Sequence, residues 1–267
     1  MKRVFIFFLL ISPLFSNGQE NSLKGFFRTV PHANQEEIST ELHSFIQVQR
    51  EKFASSKSDI KFLRSLVQES HKRFLKTYKP YSQFDELFEN GQYDCLTGTA
   101  FFSLVLESLQ FQYSIIETNY HIFMMIETDK GNVLLETTDR IFGLKTHASE
   151  IQNCLSLYKE NVLTASTSRA KNFYKYQLNL FQQVKSPQLE GLLYFNQAVV
   201  AFNNHEWVLC VDKLGKARSN YDNPRVEELA KILASSIAIS DLAEKVKKEL
   251  LNHLSLWATE LPIMAIR

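Results

Sequence analysis

A single cysteine, Cys95, stands where the chain changes from a loop to an amphipathic helix, and a histidine and an acid follow it. His121 opens one hydrophobic strand and Glu136 ends the next. A thiol attacks a carbonyl carbon only as the thiolate, so it needs a base within reach and a group that orients this base. The positive end of a helix also favours the thiolate. This order of residues therefore indicates acyl transfer by a thiol.

The elements that carry these three residues predict an α+β fold. Apolar residues recur at helical spacing over residues 97–110. Residues 111–115 alternate between apolar and polar, whereas residues 121–126 are apolar on both faces, as in a central strand. Residues 129–132 predict a turn, and residues 133–136 the return strand of a hairpin. We therefore expect a helix that bears the cysteine, packed on a short antiparallel sheet.

Three short motifs are similar to those of a known family. They are residues 94–101 (DCLTGTAF), residues 120–123 (YHIF) and residues 136–138 (ETT). In this order and at this spacing they resemble the nucleophile segment, the histidine strand and the Asp-Pro-Thr segment of the transglutaminase-like superfamily. This papain-related clan consists of thiol enzymes. The resemblance covers residues 91–143, roughly a fifth of the chain.

The resemblance implies a role for each residue. Cys95 would be the nucleophile, His121 its general base and later the acid for the leaving amine, and Glu136 the group that orients the imidazole. The backbone N–H of Cys95 would be one oxyanion donor, with the side chain of Tyr93 as a candidate for another. No metal and no organic cofactor is implied.

The third residue departs from the family pattern, because glutamate replaces the usual aspartate. Asp139 is a competing acid. With Lys130-Gly131 as the turn of the hairpin, Glu136 would face Met125, about 13 Å along the strand from His121 at ~3.3 Å per residue. Asp139 would then lie nearer to His121. The family offset nevertheless favours Glu136.

The rest of the chain predicts three parts. Residues 1–18 carry a basic start, an apolar run and small residues before a cut after Gly18, which is typical of a secretory signal peptide and predicts an exported protein, periplasmic or secreted. Residues 19–165 would be the transglutaminase-like domain with its N-terminal helices. Residues 166–267 would be an all-α appendage of helical hairpins, in which residues 194–217 resemble one tetratricopeptide repeat.

The net charge and the cysteine content reduce the number of possible functions and reactive residues. The formal net charge of +1 becomes −1 once Lys2 and Arg3 leave with the signal peptide. Without a basic patch, a nucleic-acid partner is disfavoured, and no later run is apolar enough to span a membrane. Of the three cysteines, Cys154 and Cys210 lie on apolar helix faces and predict inert thiols.

Two functions follow from these observations. The first is an exported cysteine peptidase, amidase or acyltransferase that acts on the amide bonds of a peptide or protein substrate, with hydrolysis favoured over transamidation. The alternative is a catalytically inactive scaffold that binds a protein partner through its C-terminal helices. The reactivity of Cys95 distinguishes the two, because only a thiolate–imidazolium pair reacts fast with alkylating agents in mild acid.

Overall fold

The structure, a computed structural model, describes residues 25–119, 121–164 and 180–257. The predicted signal peptide at residues 1–18 lies outside the described residues, as does the predicted boundary at residues 165 and 166. Among the described helices, none is both long enough and apolar enough to cross a membrane.

The fold is α+β, as the sequence predicts. Its helices and strands follow in this order: α1 (His32–Ser55), α2 (Asp59–Arg73), β1 (Thr77–Tyr78), α3 (Glu86–Glu89), β2 (Gln92–Tyr93), α4 (Cys95–Ser108), β3 (Tyr113–Thr118), β4 (Ile122–Thr128), β5 (Gly131–Leu135), β6 (Leu144–Lys145), α5 (Ala148–Thr164), β7 (Phe181–Val184), α6 (Ser186–Asn203), α7 (Trp207–Asn220), α8 (Pro224–Ala238) and α9 (Glu244–Ser255).

Helix α4 is buried on nearly all sides. It is hydrophobic around its circumference, and Ala100, Phe101 and Val105 are inaccessible to solvent. Phe45 of α1 and Phe74, which directly follows α2, pack on it with rings 5.8 and 5.0 Å from that of Phe101. A helix that is apolar all round needs neighbours on every face. The central position of α4 therefore fixes the place of Cys95 at its first residue.

Strands β3 to β7 form a five-stranded antiparallel sheet in the order β6-β5-β4-β3-β7. The hairpin of β4 and β5 has a different turn from the predicted one. Thr128 pairs with Gly131, so Asp129 and Lys130 form the turn, and Gly131 takes a positive φ of 103°. This moves β5 by two residues along β4, and Leu135 faces Met124. Glu136, next in the chain, is thereby brought towards the His121 end of β4.

The C-terminal part is not all helical, which corrects the prediction of an all-α appendage. Residues 181–184 form strand β7, which pairs with β3 at the edge of the sheet. Four residues with little alternation give too short a pattern to be recognised as a strand. Helices α6 and α7 pack against each other as an antiparallel pair, as the repeat-like sequence predicts, with residues 204–206 between them.

The C-terminal helices share one hydrophobic core with the helices α1, α2 and α4. Helix α6 packs directly against α4. A buried polar cluster holds the other end of this interface, where Glu117 of β3 accepts hydrogen bonds from Tyr221 (2.6 Å), Arg225 (3.1 Å) and Gln182 (2.9 Å). The helices thus support both α4 and the sheet.

Candidate active site

Cys95 is the first residue of α4, and a capping box fixes the start of this helix. The Asp94 carboxylate accepts from the backbone N–H of Thr97 at 2.8 Å, while the Thr97 hydroxyl accepts from the N–H of Asp94 at 2.9 Å. These bonds satisfy two of the donors that every helix start leaves open. The N–H of Cys95 has no intrahelical acceptor at this position, and the half-buried thiol stands beside it. Such an N–H can stabilise the negative charge that develops on a carbonyl oxygen when a thiol attacks the carbonyl carbon.

The cap itself is held from the C-terminal part. Asp94 is 4% exposed, and its second carboxylate oxygen accepts from the side-chain amide of Asn196 in α6 at 3.0 Å. Burial raises the pKa of Asp94 above its ordinary value, although hydrogen bonds from Thr97 oppose this change. Helix α6 therefore contacts the residue directly before the thiol.

His121 lies at the start of β4, with its backbone fixed to the end of β3. Its N–H donates to the Thr118 hydroxyl at 3.1 Å, and its carbonyl accepts from the N–H of Thr118 at 2.7 Å. On the side chain, Nε2 is hydrogen-bonded to Oε2 of Glu136, and the side chain of Cys95 lies close enough to the imidazole to influence its pKa. Because Nε2 is occupied by Glu136, Nδ1 is the nitrogen left for the thiol.

The charges of the site favour a protonated imidazole. Burial disfavours the cation, but the side chain of Cys95 and the carboxylate of Glu136 outweigh this effect and raise the pKa of His121 to about 10. Burial likewise disfavours the carboxylate, yet the bond to His121 and its charge, with the donors Tyr158 and Thr138, hold the pKa of Glu136 below its ordinary value. The pair can therefore be an imidazolium and a carboxylate near neutral pH.

Glu136 has donors on both oxygens. Oε1 accepts from the Thr138 hydroxyl at 2.7 Å and from the N–H of Thr138 at 3.2 Å. Oε2 accepts from the Tyr158 hydroxyl at 2.6 Å in addition to its bond with His121. The carboxylate is thus fixed in rotation, although its side chain is one methylene longer than that of aspartate.

A close approach between α4 and the chain after β5 brings the thiol and the carboxylate together. The Thr137 hydroxyl faces the carbonyl of Cys95 at 3.4 Å. A Cβ on Gly98 would lie 2.9 Å from Oγ1 and 3.0 Å from Cβ of Thr137, closer than neighbouring side chains normally stand. Gly98 is therefore required for space, one turn above Cys95.

The structure brings Cys95, His121 and Glu136 together in one site. The Asp139 side chain instead bonds within the loop that follows Glu136. Oδ1 of Asp139 accepts from the backbone N–H groups of Ile141 (3.1 Å) and Phe142 (2.8 Å), so this carboxylate closes the loop that follows Glu136. The distance of about 13 Å expected for Glu136 was wrong, because it rested on the wrong turn in the β4–β5 hairpin.

The remaining predicted residues are Tyr93 and the other two cysteines. Tyr93 is buried and packs its ring edge-on against His71 and Tyr78. Cys210 is buried and donates to the carbonyl of Ala198, and burial raises its pKa to about 12. Cys154 is half-buried beside the small cluster around Phe123. All three cysteines are free thiols.

Sequence reasoning missed Tyr158, Asn196 and the reason for Gly98. Tyr158 lies on α5, where it follows Ile151 and Cys154 at helical spacing. Such a tyrosine is indistinguishable from an ordinary packing residue. The small residues of the nucleophile segment were the one signal available for Gly98.

Within the described ranges, no group of three or more His, Cys, Asp or Glu side chains could hold a metal ion. The chain matches no protein-family model, no curated protein and no solved structure. Its membership of the transglutaminase-like superfamily therefore stays a prediction from the motifs.

Proposed function

We propose that this chain is a thiol enzyme with a transglutaminase-like core, which cleaves amide bonds of peptides or proteins through an acyl-enzyme at Cys95. The observation that carries the proposal is the connected line of three side chains at a helix start. One nitrogen of His121 is hydrogen-bonded to a fixed carboxylate, and the side chain of Cys95 lies close enough to raise the pKa of the imidazole. A base oriented in this way is what an activated cysteine requires.

In the first half of the reaction, the Cys95 thiolate attacks the substrate carbonyl carbon, and a C–S bond forms. The negative charge that develops on the carbonyl oxygen is stabilised by the backbone N–H of Cys95. The His121 imidazolium then donates its proton to the amide nitrogen, the C–N bond breaks, and the amine leaves. A thioester between Cys95 and the acyl group remains.

In the second half, His121 is neutral and accepts a proton from a water molecule that attacks the thioester. The C–S bond breaks, the carboxylic acid leaves, and the thiolate–imidazolium pair is restored. An amine in place of water would give transamidation. Hydrolysis is the simpler outcome, since water is always present.

Exposed apolar side chains support a peptide as the substrate. Tyr78 and Tyr81 precede the nucleophile segment and are 55% and 44% exposed, while Ile141 and Phe142 follow Glu136 and are 78% and 71% exposed. The chain segments that precede Cys95 and follow Glu136 thus offer exposed apolar side chains for contact with a peptide.

The test is the pH dependence of alkylation by iodoacetamide, resolved for each cysteine by peptide mass spectrometry. We expect Cys95 to react at pH 6, and we expect this reaction to fall at least tenfold in His121→Ala. Cys154, half-buried as well, is the internal control, and its alkylation should not change in His121→Ala. An ordinary titration of Cys95, unchanged by His121→Ala, would refute the proposal and favour the inactive binding scaffold.

A further inference from the structure

Tyr158 of α5 contacts the two residues that would act on the thiol. Its hydroxyl donates to Oε2 of Glu136 at 2.6 Å, the same oxygen that bonds His121. Its ring lies 5.3 Å from the imidazole of His121 and stacks on Phe123 at 4.9 Å with an interplanar angle of 19°. Tyr158 therefore covers one face of the histidine and supplies one of the donors of the carboxylate.

The need for such a donor follows from the length of glutamate. A glutamate side chain has one more rotatable bond than an aspartate, so its carboxylate can swing away from a partner more easily. The Thr138 hydroxyl and N–H hold Oε1 from within the same loop. The Tyr158 hydroxyl holds Oε2 from a separate helix, and so ties Glu136 to α5.

We propose that Tyr158 is a positioning residue that holds the Glu136 carboxylate in the orientation in which Oε2 meets Nε2 of His121. Its hydroxyl donates to Glu136 and so acts on His121 through this carboxylate. The inference rests on the proposed function only for the consequence at Cys95. The orientation of Glu136 and its effect on His121 can be measured without any substrate.

The Tyr158 hydroxyl keeps its proton. Burial raises the pKa of this phenol above its ordinary value, and the nearby charge of Glu136 raises it further. A neutral phenol has a single proton to donate, and this proton faces Glu136. The groups that act on His121 are thus Cys95 and Glu136 directly and Tyr158 through Glu136.

The molecule contains a matched control. Tyr221 donates its hydroxyl at the same distance of 2.6 Å to another buried glutamate, Glu117. Glu117 pairs with Arg225. Tyr158→Phe and Tyr221→Phe each remove one hydroxyl donor from one buried carboxylate. Of the two tyrosines, only Tyr158 donates to the glutamate that is hydrogen-bonded to His121. Phenylalanine keeps the ring, so the stacking on Phe123 is retained in the first variant.

The experiment follows the imidazole of His121 by NMR in protein labelled at histidine, with the signal assigned by His121→Gln. We expect Tyr158→Phe to lower the titration midpoint of His121 by about 0.5 to 1 pH unit, because the less firmly held carboxylate stabilises the imidazolium less well. Alkylation of Cys95 at pH 6 should fall about three- to tenfold in parallel. Tyr221→Phe should leave both readouts at their wild-type values.

Two results would overturn the inference. The first is a His121 midpoint in Tyr158→Phe that equals the wild-type value. The second is an equal shift in Tyr158→Phe and Tyr221→Phe, which would mean general loosening. Failure of the proposed function has a different signature. In that case Cys95 of the wild type titrates as an ordinary thiol, whereas the NMR comparison of the two variants still decides the role of Tyr158.

Discussion

Two buried glutamates of this chain have similar surroundings, and the main difference between them is the nitrogen base with which each pairs. Glu117 and Glu136 have side chains that are 2% and 9% exposed, and each accepts a 2.6 Å hydrogen bond from a tyrosine. Each also pairs with one nitrogen base, Arg225 or His121, which are 18% and 19% exposed. The bases decide what each cluster can do.

A guanidinium keeps its proton at every physiological pH, whereas an imidazole can give and take one. The Glu117 cluster is therefore a fixed link between β3 and the C-terminal helices. The Glu136 cluster has the same kind of link, and the thiol of Cys95 lies near its imidazole. A buried carboxylate with several hydrogen bonds therefore indicates, by itself, only a structural role. A catalytic role also requires a neighbouring base that can titrate and a nucleophile next to that base.

The largest effect that would sharpen this comparison is expected for Glu117→Gln. Removing the charge leaves Arg225 without its carboxylate, and breaking a buried pair costs about 3–5 kcal/mol. We expect the low end, about 3 kcal/mol in the free energy of unfolding measured with urea, because Arg225 also donates to the carbonyl of Thr118. Alkylation of Cys95 at pH 6 should not change. The matched variant Glu136→Gln should lose less stability than Glu117→Gln, but its Cys95 should no longer be alkylated at pH 6. A fall in Cys95 reactivity in both variants would break the distinction.

A second comparison uses pH. The pKa of His121 is raised to about 10 from an ordinary 6.5, so its contribution to stability is complete below pH 6.5 and is lost as pH rises towards 10. The pKa of Glu136 is lowered, so its contribution is present above pH 4.5 and is lost as pH falls through the folded-state value. The difference in unfolding free energy between wild type and His121→Gln should therefore be largest, about 2 kcal/mol, between pH 4.5 and 6.5, and should shrink towards pH 10.

The control for this measurement is Arg225→Gln, because the arginine does not titrate in this range. Its loss of stability should be constant between pH 6 and 10. A cost of His121→Gln that is equally flat over this range would contradict the pairing of His121 with Glu136.

The last comparison concerns two glycines, one in each region. A Cβ on Gly191 would lie 2.4 Å from Cβ of Tyr221, the partner of Glu117, and a Cβ on Gly98 would lie 2.9 Å from Oγ1 of Thr137, next to Glu136. We expect Gly191→Ala to destabilise by about 2 kcal/mol, and Gly98→Ala by about 1 kcal/mol after the gain in helix propensity. Only Gly98→Ala should reduce the alkylation of Cys95. Urea unfolding and the alkylation assay measure both, and a loss of thiol reactivity in Gly191→Ala would contradict the separation of the two regions.

Much of the site could be predicted because it is encoded locally. The change from helical to alternating periodicity places Cys95 at a helix start and His121 and Glu136 on neighbouring strands. The register of the hairpin could not be predicted. Two turns, at residues 129–130 and 130–131, are both compatible with the sequence, and the choice moves Glu136 by two residues along β4.

The long-range partners have no signal in a single sequence. Tyr158, Asn196 and Arg225 each meet their partners through tertiary packing, and nothing in the spacing of an amphipathic helix marks a polar side chain that donates inward. Strand β7 is missed for a related reason. A segment of four residues acquires strand geometry by pairing with β3, not from its own preference.

The pairing of β7 with β3 also sets the order in which a growing chain can complete its sheet. One edge of β3 is covered early by β4, but the other waits for residues 181–184. Cys95, His121 and Glu136 are thus all synthesised while this edge is still open, and an open edge is a template for pairing with foreign strands. The nascent polypeptide carries this unpaired edge throughout the interval, and the thiol reaches its final surroundings only after Asn196 has emerged to hold the helix cap.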